Sequence, residues 1–118
     1  MSERFDLSPF NPGFHAAAEL IGRRWNCAIL WALCHGLNRF SELHAAVPGL
    51  SPRLLSVRLK ELEAAGVLRR VVMPGTPVSI SYHLTPRGEA LREVFVALDA
   101  WALTWLHDDS PPPRSTVS

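Results

Sequence analysis

The sequence predicts a mainly α-helical domain with one small β-hairpin, an α+β fold. Two helix start signals, a hydroxyl residue followed by proline, occur at Ser51-Pro52 and Thr85-Pro86. Between them the apolar residues change from the helical period of about 3.6 residues to the two-residue alternation of a strand. The chain has 118 residues, of which 47% are hydrophobic, so it can bury the core of one domain.

Four helices are expected before the hairpin, at residues 14–21, 25–35, 41–47 and 52–65. Each is followed by a helix-breaking residue: Gly22, Gly36, the pair Pro48-Gly49, and Gly66. The second helix carries an apolar stripe with helical spacing, formed by Cys27, Leu30, Trp31 and Cys34.

The hairpin and a final helix complete the domain. Residues 67–73 are rich in β-branched side chains, residues 74–77 contain the prolines and glycine of a turn, and residues 78–84 alternate apolar and polar side chains. The final helix is expected at residues 86–107, a length of about 33 Å. Helix, turn, helix, hairpin and helix is the element order of a winged helix-turn-helix domain.

The two ends of the chain are expected to differ from this domain, which spans 14–107. Residues 1–13 are interpreted as an irregular apolar arm, because Pro9 and Pro12 disfavour a helix there. The proline-rich segment 108–118 is expected to be disordered. The sequence contains neither a secretory signal nor an apolar stretch long enough for a bilayer, so we expect a cytoplasmic protein without a membrane partner.

Basic side chains are concentrated in the middle of the chain. Residues 23–92 hold ten Arg or Lys against four Asp or Glu, a net +6, whereas residues 1–22 carry −2 and residues 93–118 carry −3. This asymmetry favours a polyanion-binding centre. The sequence has no paired carboxylates, nucleophile motif, phosphate-binding glycine loop or zinc-ligand spacing, so we expect no enzyme, cofactor or metal.

The fourth helix has the two faces of a DNA-recognition helix. With about 3.6 residues per turn, three leucines face the core: Leu55, Leu59 and Leu62. The opposite face holds side chains that can contact base edges, phosphates or a thymine methyl group: Arg53, Ser56, Val57 and Lys60. Arg58 lies between the faces, where it braces the helix or contacts phosphate. An ordinary solvated face is the alternative, but the glycine-containing turn, the hairpin and the local positive charge favour DNA.

Other candidate DNA contacts lie around this helix. Ser41 and Ser51 stand at helix starts, whose free N–H groups bind phosphate, and Thr76 lies at the tip of the hairpin. The complete set is Arg39, Ser41, Ser51, Arg53, Ser56, Val57, Arg58, Lys60 and Thr76.

The final helix is too apolar for one small domain to cover. Of the 17 residues 90–106, 13 are apolar, and five of them follow the 3-4-3-4 spacing of a heptad seam. We expect the excess to be buried against a second copy of the chain, with the apolar arm lying across it; the alternative is a helix that forms the buried centre of a monomer. The expected interface comprises Phe10, Phe14, Leu91, Val94, Phe95, Leu98, Trp101 and Trp105.

Several segments resemble the HxlR-type family of bacterial winged-helix transcriptional regulators. They are LIGRRW at 20–25, RFSEL at 39–43, PGLSPRLLSVRLKELE at 48–63, GVL at 66–68 and YHLTPRG at 82–88. The resemblance covers about residues 14–106. It implies a homodimer that binds a palindromic operator, with the first and last helices forming the dimer.

Two positions depart from the family pattern. Ser8-Pro9 stands where many members carry a Cys-Pro, used in some as a redox sensor, so sensing by that route is not expected. The hairpin has no cation from Val71 to Thr85, whereas the family's wing usually carries an arginine. We therefore expect only backbone or hydroxyl contacts from the wing to phosphate. The two cysteines, Cys27 and Cys34, are expected to be buried structural thiols, and a redox sensor is the alternative.

Two further functions are compatible with these residues. The uncharged wing favours a winged-helix protein-interaction module that no longer binds DNA. The aromatic side chains Trp31, Trp101 and Trp105 would suit a pocket at the dimer seam for an unknown small-molecule effector.

Overall fold

The computed structural model describes residues 12–106, in which six helices and two strands follow one another. Predictions for Ser8, Phe10, most of the arm and the proline-rich tail lie outside these residues. The elements are α1 (Pro12–Gly22), α2 (Asn26–Cys34), α3 (Phe40–Ala46), α4 (Pro52–Ala64), β1 (Leu68–Met73), β2 (Ser79–Leu84), α5 (Pro86–Glu89) and α6 (Arg92–Trp105). This order is that of a winged helix-turn-helix domain, as predicted.

The core lies among α2, α3, α4 and the base of the hairpin. Its fully buried side chains include Ile29, Leu30, Leu43, Leu55, Leu62 and Leu68. The hairpin is antiparallel, with Leu68 paired to Leu84 and Met73 paired to Ser79. The Tyr82 N–H donates to the Asn38 carbonyl at 2.8 Å, so the segment before α3 lies along β2 and fixes the hairpin against the helices.

The predicted caps of α4 are confirmed. The Ser51 hydroxyl accepts from the Leu54 N–H at 3.1 Å, and Pro52 is the first helical residue. At the other end Gly66 has a φ of 81°, and the N–H groups of Gly66 and Val67 donate to the carbonyls of Glu63 and Leu62. This is a Schellman motif, which turns the chain sharply into β1.

The first helix begins earlier than predicted, at Pro12 rather than Phe14. Proline is favourable in the first turn of a helix, because the N–H that it lacks would have no intrahelical partner there. The prediction that the arm is irregular through Gly13 was therefore wrong for its last two residues. No residue of α1 is buried in the chain itself.

The predicted long final helix is divided into α5 and α6. The Leu91 N–H donates to the Gly88 carbonyl at 3.0 Å, three residues back, so the turn at Ala90 is tighter than an α-helix. The Thr85 hydroxyl caps α5 as predicted, by accepting from the Gly88 N–H. The straight part, α6, is about 21 Å long at 1.5 Å per residue rather than the expected length.

The buried face of α2 is centred differently from the predicted stripe. Leu30 and Cys34 are buried as expected, but Cys27 and Trp31 are only half-buried, and Asn26, Ile29 and Leu33 are buried instead. The helix is covered on more than one side, so spacing alone did not show which side is deepest. Within residues 12–106 no helix has the length and apolar character that crossing a membrane would take.

Candidate nucleic-acid interface

The turn between α3 and α4 is anchored in the core at both sides. Val47 and Leu50 are buried, while Pro48 and Gly49 between them are exposed. Gly49 has a φ of 89°, and a Cβ there would lie 3.3 Å from the indole of Trp25. Glycine therefore satisfies both the left-handed backbone and the close approach of an aromatic ring. This turn fixes the direction in which α4 leaves α3.

The outward face of α4 is exposed as the helical pattern predicted. Leu55, Leu59 and Leu62 are buried in the core, whereas Arg53, Ser56 and Lys60 are exposed and Val57 is 39% exposed. Within the part of the chain that the structure describes, neither Arg53 nor Lys60 has an ion pair. Their charges are free to meet an anion from solvent.

Arg58 was expected either to brace α4 or to contact phosphate, and its contacts in the structure are those of a brace. Its side chain is 12% exposed; Nε donates to the Arg24 carbonyl at 3.0 Å and Nη1 contacts Glu61 Oε1 at 3.2 Å. Arg23 Nε contacts the same Glu61 oxygen at 3.2 Å. The guanidinium of Arg58 thus ties α4 to the segment between α1 and α2.

A groove runs between α4 and the hairpin and includes a cation that sequence reasoning missed. Its walls enclose about 360 Å³ and comprise Ser56, Leu59, Lys60, Glu63, Arg70 and Tyr82. Arg70 lies on the same face of β1 as the buried Leu68, opposite Tyr82. Side chains two residues apart in a strand lie on the same face. The sequence could therefore have indicated that Arg70 follows Leu68 on the face of β1 that packs toward α4.

The remaining candidate DNA contacts occupy the edges of this surface. Arg39, Ser41 and Thr76 are exposed, and so is Ser51, whose hydroxyl caps α4. The helix α3 begins at Phe40, one residue before the expected start, with Arg39 as its N-cap. Glu42 Oε1 accepts from the backbone N–H groups of Asn38 and Arg39 at 3.1 Å each. Ser41 therefore does not cap α3, and part of that helix start is already occupied.

Large apolar side chains are exposed along α6. Val94, Leu98, Trp101 and Trp105 lie on one face of the helix, and Trp105 is 69% exposed, whereas Val96 and Leu103 are exposed on its other side. Phe95, which was expected in the dimer interface, is instead 2% exposed and contacts Trp31 at 6.1 Å between ring centroids. Leu91 is half-buried against the core. Phe95 therefore belongs to the core of its own chain, whereas Leu91 keeps part of its side chain accessible at the edge of that core.

The cysteines lie near the junction of α2 and α6. Cys27 lines a cavity of about 220 Å³ together with Trp31, Phe95, Leu98, Asp99 and Ala102. Desolvation by burial raises the pKa of Cys27, and the neighbouring Cys34 raises it further. Burial also raises the pKa of Cys34, against the opposing effect of Arg92. In residues 12–106, no group of three His, Cys, Asp or Glu side chains is placed to hold a metal ion.

A model of the family described as HxlR-like helix-turn-helix matches residues 20–110. The chain belongs to the HxlR-like family. Among its relatives, the HTH-type transcriptional regulator YvaP of Bacillus subtilis is 46% identical over 95 residues, which are 80% of this chain and 88% of that protein. YodB of the same organism, also an HTH-type transcriptional regulator, is 43% identical over 91 residues, covering 77% and 81% of the two chains.

Solved structures of HxlR-like and related regulators share the fold. Reduced YodB superposes with a TM-score of 0.73 at 38% identity, over 86% of this chain and 99% of that one. The redox regulator HypR in its oxidized form gives a TM-score of 0.73 at 27% identity, over 78% and 95%. YodB has also been solved after diamide treatment and with quinone bound. Membership in this family identifies the chain as a helix-turn-helix transcriptional regulator and not an enzyme.

Proposed function

We propose that this HxlR-like protein is a sequence-specific DNA-binding regulator that acts as a homodimer on a palindromic operator in the cytoplasm. One observation supports it above the others. The face of α4 that points away from the core carries Arg53 and Lys60 without ion pairs among residues 12–106. Such a helix, presented by a rigid glycine turn, fits the major groove with cations at base edges and phosphates.

Arg70 extends this surface from α4 to the hairpin. It lines the same groove as Lys60 and Ser56. A phosphate bound beside Lys60 in this groove would therefore also be near Arg70. We assign Arg70 a phosphate contact, which compensates in part for the absence of cations from Val71 to Thr85. We do not include Arg58 among the proposed DNA contacts, because its guanidinium donates to the Arg24 backbone carbonyl and to the Glu61 carboxylate.

Dimerisation would bury the exposed face of α6. The face includes Leu98, Trp101 and Trp105, all about half exposed or more, and large side chains of this kind on one helix are typical of an interface. A two-fold axis through α6 would give two recognition helices for two half-sites, about 34 Å apart for one turn of DNA. We place Val94, Leu98, Trp101 and Trp105 in this interface, together with α1.

DNA selection tests the proposal directly. The full-length protein is incubated with a pool of random duplexes at fixed salt, and the bound DNA is sequenced. We expect enrichment of an inverted repeat, and half-maximal binding that weakens steeply with salt. Enrichment of no sequence, with weak binding equal for all duplexes, would support the protein-interaction module instead.

A further inference from the structure

The segment between α1 and α2 contacts the helix-turn-helix unit at two separate places. At α4, the Arg24 carbonyl accepts from Arg58 Nε at 3.0 Å, and Arg23 Nε contacts Glu61 at 3.2 Å. At the turn before α4, the indole of Trp25 lies against Gly49. We call residues 23–25 the interhelix bend. It touches both the recognition helix and the turn that presents it.

The interhelix bend has a strained backbone that its side-chain contacts stabilise. Trp25 has a φ of 80°, a left-handed conformation that is costly for a residue with a bulky side chain. The Arg24 guanidinium covers the Trp25 ring at 4.7 Å. Asn26 is 1% exposed, and its Nδ2 donates to the Leu20 carbonyl at 2.8 Å, which fixes the last turn of α1.

Helix α1 itself is only partly packed on the domain. None of its residues is fully buried, and Leu20 and Ile21 near its end are the α1 side chains that pack against the core. The contacts of the interhelix bend with Arg58, Glu61 and Gly49 therefore join α1 to the recognition helix and constrain the angle between α1 and α4. In the dimer, α1 belongs to the interface and α4 to the DNA surface, so this angle governs how far apart the two recognition helices lie.

We propose that Arg58 is a positioning residue that, through the interhelix bend, sets the half-site spacing accepted by the dimer. This inference rests on the proposed function, because it concerns the same operator. One inserted base pair moves a half-site by about 3.4 Å and rotates it by about 35°. A dimer whose α1–α4 angle is fixed cannot follow such a change without deforming the DNA. A dimer that has lost the Arg58 contacts can follow it.

The experiment compares symmetric duplexes built from the half-site that the wild-type protein selects. The central spacer is shortened or lengthened by one and two base pairs, and binding of the full-length protein is measured at one salt concentration. For the wild type we expect affinity to fall about tenfold per base pair away from the optimum. For Arg58→Ala we expect the optimum to flatten to about threefold or less, with base preferences within each half-site unchanged.

Two variants make the result decisive. Lys60→Ala removes a DNA contact, so it should weaken binding by the same factor at every spacing. Glu61→Gln keeps the size of the side chain but removes the charge shared by Arg23 and Arg58. It should broaden the spacing profile in the same sense as Arg58→Ala, and it decides the matter if Arg58→Ala does not fold.

If Arg58→Ala weakens binding by the same factor at every spacer length, the positioning role is wrong. Glu61→Gln gives the same test if Arg58→Ala does not fold. An unchanged spacing profile would overturn the positioning role equally, while leaving the proposed function intact. If the wild type selects no DNA at all, the proposed function fails and this inference falls with it.

Discussion

Two groups of basic side chains among residues 12–106 differ in their contacts. Arg58, Arg87 and Arg92 hold backbone carbonyls of Arg24, Ala65 and Cys34, so they stabilise the fold. Arg53, Lys60 and Arg70 have no such contact within residues 12–106. Charge alone did not separate the groups in the sequence, because the separation depends on which carbonyls the fold brings within reach. The second group is where anion binding is expected.

Replacing Arg53 or Lys60 by alanine should weaken DNA binding without unfolding the protein, because both side chains are exposed. If Arg53 contacts a guanine edge, its loss should cost about 1–3 kcal/mol and relax specificity at one base position. If it contacts phosphate, affinity should fall evenly across sequences and the salt dependence should lessen. Gel shifts over a salt series distinguish these results. Wild-type affinity in the double variant would contradict the placement of α4 in the groove.

Arg70→Ala should weaken binding to all duplexes alike and lower the magnitude of the salt slope by about one. The matched control is Arg69→Ala, which removes the same charge from the opposite face of β1. Fluorescence anisotropy with labelled operator gives both slopes. Equal effects of the two substitutions would mean that only overall charge matters and that the groove beside Lys60 is not a phosphate site.

The two thiols should be poor targets for oxidants at neutral pH. Burial raises the pKa of both Cys27 and Cys34, so the reactive thiolate is scarcer than at an exposed cysteine until the pH approaches the raised values. Diamide should leave operator affinity unchanged, and alkylation should be slower in the folded than in the urea-unfolded chain. A reversible loss of binding that disappears in Cys27→Ser or Cys34→Ser would show that one of these thiols is a sensor.

At the scale of elements, helix ends that depend on local residues were predictable from the sequence, whereas a helix break that depends on contacts across the fold was not. Ser51, Gly66 and Thr85 determine helix ends through their own hydrogen bonds and backbone angles, so their roles were readable from the sequence. The break between α5 and α6 was not readable, because Ala90 and Leu91 are good helix formers. It follows from packing: Gly88 is held against the Val67 carbonyl while Phe95 is buried against Trp31.

The docking of α5 predicts a large effect for one small substitution. A Cβ on Gly88 would collide with the Val67 backbone carbonyl, which cannot move without distorting the start of β1. Gly88→Ala should therefore lower the free energy of unfolding by about 1–3 kcal/mol or more. Gly22→Ala is the control, since a Cβ there meets nothing within 4 Å, and it should be neutral or slightly stabilising. Urea denaturation measures both. Equal stability of the two variants would refute the tight α5 contact.

At the scale of the whole molecule, the apolar pattern predicted an excess of hydrophobic surface but could not assign each residue to one side of it. Phe95 and Leu98 lie three residues apart on α6, and both were expected in the dimer interface. The structure buries Phe95 within its own chain and leaves Leu98 exposed. A heptad pattern is the same whether the helix packs on its own core or on a second copy of the chain. Only the three-dimensional packing therefore shows which residues belong to the core and which stay exposed.

The exposed part of α6 should make the protein a dimer, and polar substitutions there should disrupt it. Leu98→Glu with Trp101→Glu would place two charges in the seam, where burial without a partner is unfavourable. We expect monomers or insoluble protein and loss of operator binding, whereas Thr104→Ala, which only removes a hydroxyl bonded to the Ala100 carbonyl, should leave the dimer intact. Sedimentation velocity at micromolar concentration reports the mass. A wild-type protein that sediments as a well-behaved monomer would contradict the dimer, because the face of α6 would then tolerate solvent.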